Sequence, residues 1–211
     1  MRVVSGNKEI QPYIVGNEAI INSVLNGAVL SFLKISGLQL NSVYSLTIVG
    51  FSGKVEERYF RAANTNAPEF EFAFSTCMVD EKDYIEPIFL IYSHLAHLSP
   101  RWIILGGDAV YVDSWEAFPD KNKGPKGSDI WKRYVETWSR LSLYRMKYLI
   151  PDIATWDDHD FGTNDGNANF DLKEVSFKVF KTFYGAQDIP GIYKNCPGVS
   201  SVLEVSGQRL V

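Results

Sequence analysis

The residues after Glu69 alternate between short apolar segments and longer segments with helical spacing, and this alternation constrains the fold most strongly. Strands are predicted at 70–75, 101–105 and 153–156, with a last strand at 201–205 whose hairpin partner begins at 208. Helices are predicted between the first three strands and after the third. Strands that alternate with helices indicate an α/β layered domain.

Proline and capping residues predict where the helices begin and end. The first helix begins near Pro87 and ends at Pro100. The second is capped by Asp129 and continues to Pro151. Its apolar face consists of Ile130, Tyr134, Trp138, Leu141, Tyr144 and Tyr148. A third helix is predicted over 172–184, closed by Gly185.

The first 63 residues lack helical periodicity and indicate a small β domain. Strands are predicted at 29–35, 43–50 and 55–61, with turns at Asn41-Ser42 and Ser52-Gly53. The segment 38–44 has the form L-x-L-x-x-x-Y, which resembles a turn and strand of fibronectin-type domains. The polar segment 64–68 separates the two patterns. We therefore predict an all-β domain at 1–66 and an α/β domain at 67–211.

Composition excludes several classes of protein. Hydrophobic residues make up 45% of the 211 and charged residues 22%, which excludes a disordered chain. The net charge of −4 argues against general nucleic-acid binding. No apolar run reaches the roughly 18 residues of a membrane span, and no secretion signal is visible. Cys77 and Cys196 are far apart, so a disulfide scaffold or a cysteine-based structural zinc site is not expected.

Acidic residues are concentrated directly after the predicted strand 153–156. Asp157, Asp158, His159 and Asp160 follow it, and Asp165 comes shortly afterwards. Crowded carboxylates repel one another unless a cation neutralises them. Oxygen ligands suit calcium, magnesium, manganese or iron, and a histidine suits a transition metal. The alternative at this stage is a solvated acidic loop with helix caps.

Two further polar clusters follow predicted strands of the same domain. Gly106-Gly107 allows a sharp turn that exposes Asp108, and Tyr111 and Asp113 follow in the same loop. Cys77 follows the strand 70–75. Ligands bind at the carboxyl ends of the strands in open α/β sheets, so these clusters are expected to converge. Taken singly, the glycine-aspartate turn can be a helix cap, and Tyr111 and Cys77 can be core residues.

The order of these blocks resembles the alkaline phosphatase D (PhoD-like) family of calcineurin-like metallophosphoesterases. The blocks are Ser-Thr-Cys, then Gly-Gly-Asp-Ala-Val-Tyr-Val-Asp, then Trp-Asp-Asp-His-Asp-Phe-Gly-Thr-Asn-Asp. The family's motifs are approximately S-C, G-D-Q-I-Y-A-D and W-D-D-H-E/D, with an asparagine shortly after. The resemblance covers 70–211. It implies an incomplete metallophosphoesterase β-sandwich flanked by helices, preceded by the small fibronectin-like domain.

The resemblance also implies residue roles. Five residues are implied as metal ligands, with Asn164 alternatively contacting phosphate: Cys77, Asp108, Tyr111, Asp158 and Asn164. His159 is implied as the catalytic histidine, and Asp160 as the acidic residue that orients it. Asp157 is left open between ligand and supporting residue. His94 and His97 lie on the first α/β-domain helix, and we expect them to be exposed rather than ligands.

The implied activity is hydrolysis of phosphate monoesters or diesters by a metal-bound hydroxide. The implied cofactors are iron with calcium; manganese, magnesium and zinc are the alternatives. The implied partner is a phosphate-ester substrate, and relatives are often exported. The family's later Gly-Asp-x-His block and a further aspartate ligand are not found before Val211. The 211 residues expressed alone are therefore expected to expose apolar surface and aggregate.

Two other functions stay open at this stage. One is a non-catalytic fragment or binding domain of the same fold that lacks a complete metal centre. The other is a calcium-stabilised domain with a calcium loop at 157–171, although this segment lacks the ligand spacing of an EF-hand.

Overall fold

The structure is a computed structural model, and it describes residues 2–5, 8–10, 13–18, 30–49, 53, 55–69, 71–114, 116–118, 124–184, 198–200 and 202–210. The strands are β1 (Arg2–Ser5), β2 (Lys8–Ile10), β3 (Tyr13–Glu18), β4 (Leu30–Lys34), β5 (Val43–Val49), β6 (Val55–Arg61), β7 (Phe72–Ser75), β8 (Trp102–Gly106), β9 (Tyr148–Leu149), β10 (Asp152–Thr155), β11 (Leu203–Val205) and β12 (Gln208–Leu210). The helices are α1 (Ile85–Leu98), α2 (Gly127–Arg140), α3 (Asp158–Phe161) and α4 (Lys173–Tyr184), with a 3-10 helix at Ser142–Arg145. The predicted mixed α/β composition is confirmed.

The chain divides into two compact units. The first contains Met1–Asn64 together with Met146–Pro151, and the second contains Thr65–Arg145 together with Asp152–Val211. The predicted division at 66 and 67 stays a prediction. Sequence periodicity did not assign Met146–Pro151 to the first unit.

The first unit contains a five-stranded sheet in the order β2-β1-β5-β6-β9 and a separate β3-β4 pair. β5 and β6 pair antiparallel from Val43 opposite Arg61 to Val49 opposite Val55. The inward side chains of Tyr44 and Leu46 alternate with more exposed ones, as expected for a strand buried on one face. The Tyr44 hydroxyl accepts a hydrogen bond of 2.7 Å from the backbone N–H of Gln39. This bond ties the turn before β5 to its first buried side chain.

The second unit is built on a three-stranded sheet in the order β10-β8-β7, in which both neighbouring pairs are parallel. α2 and α4 pack against each other through a cluster of aromatic side chains. Its members include Trp131, Tyr134, Trp138, Phe183 and Tyr184. β11 and β12 form the predicted hairpin. No described helix has the length and hydropathy needed to cross a membrane.

The prediction for the second helix is wrong at both ends. Asp129 lies in the first turn rather than at the cap, and its carboxylate accepts a 2.8 Å bond from the N–H of Lys126, the residue before the helix. The helix ends at Arg140, because Leu141 is extended. Tyr144 then belongs to the 3-10 helix but still stacks on Trp138, with ring centroids 4.6 Å apart. The apolar periodicity therefore continued past the end of the helix.

Several predicted features lie outside the described residues. They are Gly185 as a helix terminus, Cys196, the turn residue Ser52, and the ends of predicted strands at Val29, Gly50, Phe70, Ser201 and Val211. Phe72 and Phe74 on β7 are 50% and 63% exposed. The expected aggregation of the 211 residues stays a prediction.

Candidate metal centre

The three polar clusters meet at one edge of the three-stranded sheet. β7, β8 and β10 run parallel, with Ser75 opposite Leu105 and Thr155 opposite Gly106. Each strand therefore ends at the same edge. The loops that follow carry Cys77, Asp108 and Asp158, so convergence at the carboxyl ends is observed as the sequence predicted.

Gly107, the first residue after β8, allows two loops to approach closely. Gly107 has φ +111°, and a Cβ at this position would lie 2.7 Å from the Cβ of Asp157. Asp108 itself has φ +51°, in the left-handed region. Any side chain at residue 107 would therefore push the acidic loop after β10 away from Asp108.

Asp108, Asp158 and His159 form the candidate metal centre. One ligand atom from each lies within 4.8 Å of the other two. Asp108 is only 7% exposed, and its Oδ1 is buried without a hydrogen-bond partner among the described residues. Burial raises the pKa of Asp108, and the charges of Asp158 and Asp157 add to it, against opposing effects of His159 and Cys77.

The donor atoms of these three side chains are suited to binding a cation. A buried carboxylate oxygen without a partner costs free energy, and a bound cation would remove that cost. Two carboxylates and an imidazole suit a divalent transition metal such as manganese. The Asp/His cluster is therefore consistent with divalent metal binding, and the identity of the metal stays a proposal.

His159 is held by a residue to which sequence analysis assigned no role. Its Nδ1 lies 2.7 Å from Oδ1 of Asp113, and the backbone N–H of Asn164 donates to Oδ2 of the same carboxylate at 2.6 Å. The imidazole also stacks on Tyr111, with ring centroids 4.2 Å apart. With Nδ1 engaged by Asp113, Nε2 is the nitrogen left to face a ligand.

The hydrogen bond to Asp113 raises the pKa of His159. Burial opposes this effect, and the charges of Asp113, Asp108 and Asp158 support it. Burial alone would raise the pKa of Asp113, but the bond and charge of His159 and the N–H of Asn164 outweigh it and lower this pKa. Both shifts favour the ion pair between the two side chains.

Asp160 does not make the contact predicted for it. It is completely buried, and its two oxygens accept backbone bonds from Val110 at 2.7 Å and from Asp157 at 3.1 Å. Burial raises its pKa to about 7. Its carboxyl joins the loop after β8 to the start of α3, so the orienting contact to His159 falls to Asp113. The catalytic role of Asp160 stays a prediction.

The remaining predicted ligands lie around the centre. The exposed Cys77 has its Sγ 3.5 Å from Oδ2 of Asp108. Burial raises the pKa of Tyr111, and the charges of Asp108 and Cys77 raise it further. Asn164 is exposed, and its Nδ2 donates to Oδ2 of Asp165 at 2.6 Å. The ligand roles of all three stay predictions.

A second polar cluster braces the loops that carry Cys77 and Tyr111. Arg133 of α2 donates to the buried Asp80 at 2.5 Å and to the backbone carbonyl of Tyr111 at 3.0 Å. Thr137 donates to the other oxygen of Asp80 at 3.0 Å. Sequence analysis missed this pair, because Asp80 and Arg133 are 53 positions apart and no local pattern connects them.

A cleft of about 570 Å³ opens beside the centre, on the side of His159. Its wall includes Tyr111, Asp113, His159, Thr163 and Asn164. The candidate centre is therefore bordered by a space large enough for a small organic group.

Comparison with known proteins adds a likeness at the level of structure. No protein-family model matches the sequence, and no curated protein matches it. The chain is similar to a solved structure described as the structure of PhoD, with a TM-score of 0.58 and 16% sequence identity. The likeness covers 83% of this chain and 36% of the PhoD chain, so the 211 residues span little more than a third of that chain. The predicted PhoD resemblance is confirmed at the level of fold.

Proposed function

We propose that this chain contributes to metal-dependent hydrolysis of phosphate esters. The observation that carries the proposal is the convergence of Asp108, Asp158 and His159 within 4.8 Å around a buried, unpartnered carboxylate oxygen. The PhoD-like fold supports a phosphoesterase-type function at the coarsest level. The proposed partner is the phosphate ester itself, either a monoester or a diester.

The side chains have separate roles in this proposal. A bound cation would neutralise charge on the phosphate and make a water molecule more acidic. Asp108 and Asp158 would hold the cation through their carboxylate oxygens. His159, fixed by Asp113 through Nδ1, would present Nε2 to the leaving oxygen or to a phosphate oxygen. Asn164 would place its amide near the same phosphate.

The finer proposal concerns Cys77 and Tyr111. A thiolate and a phenolate are anionic donors that stabilise a ferric ion. Cys77 lies beside Asp108, and the ring of Tyr111 stacks on His159. We therefore propose iron with calcium as the metal pair. Iron bound to these donors would absorb visible light, so a replete protein without iron and without colour would contradict this assignment.

Turnover and metal content test the proposal together. The Asp108→Asn variant and the unmodified chain would be loaded with Mn²⁺ or Fe³⁺ and Ca²⁺, then assayed on p-nitrophenyl phosphate and bis-p-nitrophenyl phosphate. We expect metal-dependent turnover that Asp108→Asn abolishes and the exposed Asp171→Asn control retains. Absence of both metal and turnover would support the alternative, a binding domain of the same fold that lacks a complete metal centre. Stoichiometric metal without turnover would reject hydrolysis and leave the metal site standing.

The first unit carries a separate proposal about fold. The Tyr44 hydroxyl bonds back to the backbone of Gln39, a connection of the kind called a tyrosine corner in β-sandwich domains. We propose on this ground that the unit is fibronectin-like. We also propose that the three parallel strands of the second unit are part of the metallophosphoesterase β-sandwich.

A further inference from the structure

Part of the wall of the cleft beside His159 is apolar. Val79, Tyr84, Phe118 and Pro125 line it, and Tyr84 is 54% exposed. Its volume of about 570 Å³ lies in the range of small-molecule sites. An aromatic or aliphatic group placed there would bury apolar surface against these side chains.

The same cleft carries negative charge. Among the described residues that line it, Glu81 and Asp113 are acidic and none is a lysine or arginine; His159, the ion-pair partner of Asp113, is the one group there that can carry positive charge. Glu81 is 4% exposed and accepts a 2.9 Å bond from the Ser114 hydroxyl. An anionic group that entered would meet carboxylates in partly buried surroundings, where repulsion is stronger than in water.

His159 connects the cleft to the candidate centre. It belongs to the cluster with Asp108 and Asp158, and its ring stacks on Tyr111, which also lines the cleft. A phosphate bound at the cluster would therefore have its ester oxygen near His159. The organic group attached to that oxygen would extend into the cleft.

We propose that the cleft binds the alcohol portion of the substrate and selects esters whose alcohol is apolar or aromatic and carries no second anionic group. This inference rests on the proposed function. The apolar wall supplies affinity, and the carboxylates exclude alcohols that bear a carboxylate, a sulfonate or another phosphate. An uncharged or cationic aryl group satisfies both conditions.

Phosphonates test the inference because they bind without being hydrolysed. Methylphosphonate, benzylphosphonate and 4-carboxybenzylphosphonate would be titrated calorimetrically into the Mn²⁺-loaded full chain. We expect benzylphosphonate to bind about tenfold more tightly than methylphosphonate, since its ring buries apolar surface. The carboxylate should reduce affinity for the benzyl compound by about tenfold, since it faces like charges.

Two variants test whether the cleft causes the preference for benzylphosphonate over methylphosphonate. Tyr84→Ala removes part of the apolar wall, and it leaves the cap of α1 intact because the Tyr84 side chain makes no capping bond. It should reduce the preference for benzylphosphonate over methylphosphonate at least about threefold. Leu90→Ala is the matched control, since Leu90 is 59% exposed on α1 and is not among the lining residues. An unchanged preference in Tyr84→Ala would overturn the inference.

Parallel assays with p-nitrophenyl phosphate separate this inference from the proposed function. Turnover without a benzyl preference, or tighter binding of the carboxylated compound, would overturn the selectivity and leave hydrolysis standing. Benzyl-selective binding without turnover would retain the cleft assignment and reject hydrolysis. Absence of binding by all three phosphonates would overturn the inference as well.

Discussion

Two buried carboxylates in the second unit, Asp80 and Asp108, have opposite surroundings. Asp80 is 1% exposed, with one oxygen bonded to Arg133 and the other to Thr137. Asp108 is 7% exposed and has one oxygen without a partner among the described residues. Its neighbours include the carboxylates of Asp158 and Asp157.

The difference separates a structural charge from one that is left for a ligand. The counter-charge of Asp80 lies within the chain, so this carboxylate affects the free energy of folding of the unit rather than ligand binding. Asp108 lies among other carboxylates beside the partly buried imidazole of His159. A cation bound from solution would neutralise these like charges. Burial and charge alone do not distinguish the two sites; the partner of each oxygen does.

The largest expected effect follows from disrupting the ion pair between Asp80 and Arg133. Arg133→Met keeps the aliphatic stem but removes the guanidinium that lies 2.5 Å from Asp80 and leaves only Arg140 at 3.8 Å, so the free energy of unfolding should fall by about 3–5 kcal/mol. Urea denaturation measures it. Lys132→Met, on the exposed face of the same helix, is the control and should change stability by less than about 0.5 kcal/mol. A loss as small as the control's would mean that the pair is dispensable.

The second largest effect is the stabilisation expected when Mn²⁺ binds at Asp108. Mn²⁺ at a hundred times its dissociation constant should raise the free energy of unfolding by about 2.7 kcal/mol, because it binds the folded chain. Thermal melts with and without chelator measure the rise. Asp108→Asn should abolish it, and Asp171→Asn should retain it. An equal rise in Asp108→Asn would place the metal elsewhere.

A smaller effect tests how His159 is held. Asp113→Asn replaces the carboxylate that accepts from Nδ1, so the imidazole loses its fixed tautomer and orientation. Turnover of p-nitrophenyl phosphate by the Mn²⁺-loaded chain should fall about 10–100-fold, because His159 no longer presents Nε2 in a fixed direction. Asp171→Asn serves again as the control. Full turnover in Asp113→Asn would show that Asp113 does not orient His159.

The smallest effect compares the two carboxylates by one substitution. In the presence of chelator, Asp108→Asn removes a buried charge from like neighbours, so stability should stay unchanged or rise by up to about 1 kcal/mol. Asp80→Asn should lower stability, since Arg133 loses its buried carboxylate partner and keeps only the more exposed Glu136. The test is the sign of the change in the free energy of unfolding of each variant, read from the urea midpoints. Loss of stability in both variants would show that Asp108 has a counter-charge within the chain.

Local periodicity predicted most strands of the fold. The strand over 55–61 was predicted with the bounds that β6 has, and 153–156 overlaps all but the first residue of β10. Apolar and β-branched runs bounded by turns contain this information locally. The end of α2 was not predicted correctly, because Tyr144 packs on Trp138 from a different element and so extends the helical pattern.

The sequence by itself determined which strand ends carry chemistry, since glycine, acidic and cysteine residues follow apolar strands in recognisable order. Only the tertiary structure decided which carboxylate holds His159, which one lacks a partner and which one is neutralised by Arg133. The two contacts among these join residues 46 and 53 positions apart. Such pairings depend on how the parallel strands and α2 bring separate loops together, and no local pattern encodes that arrangement.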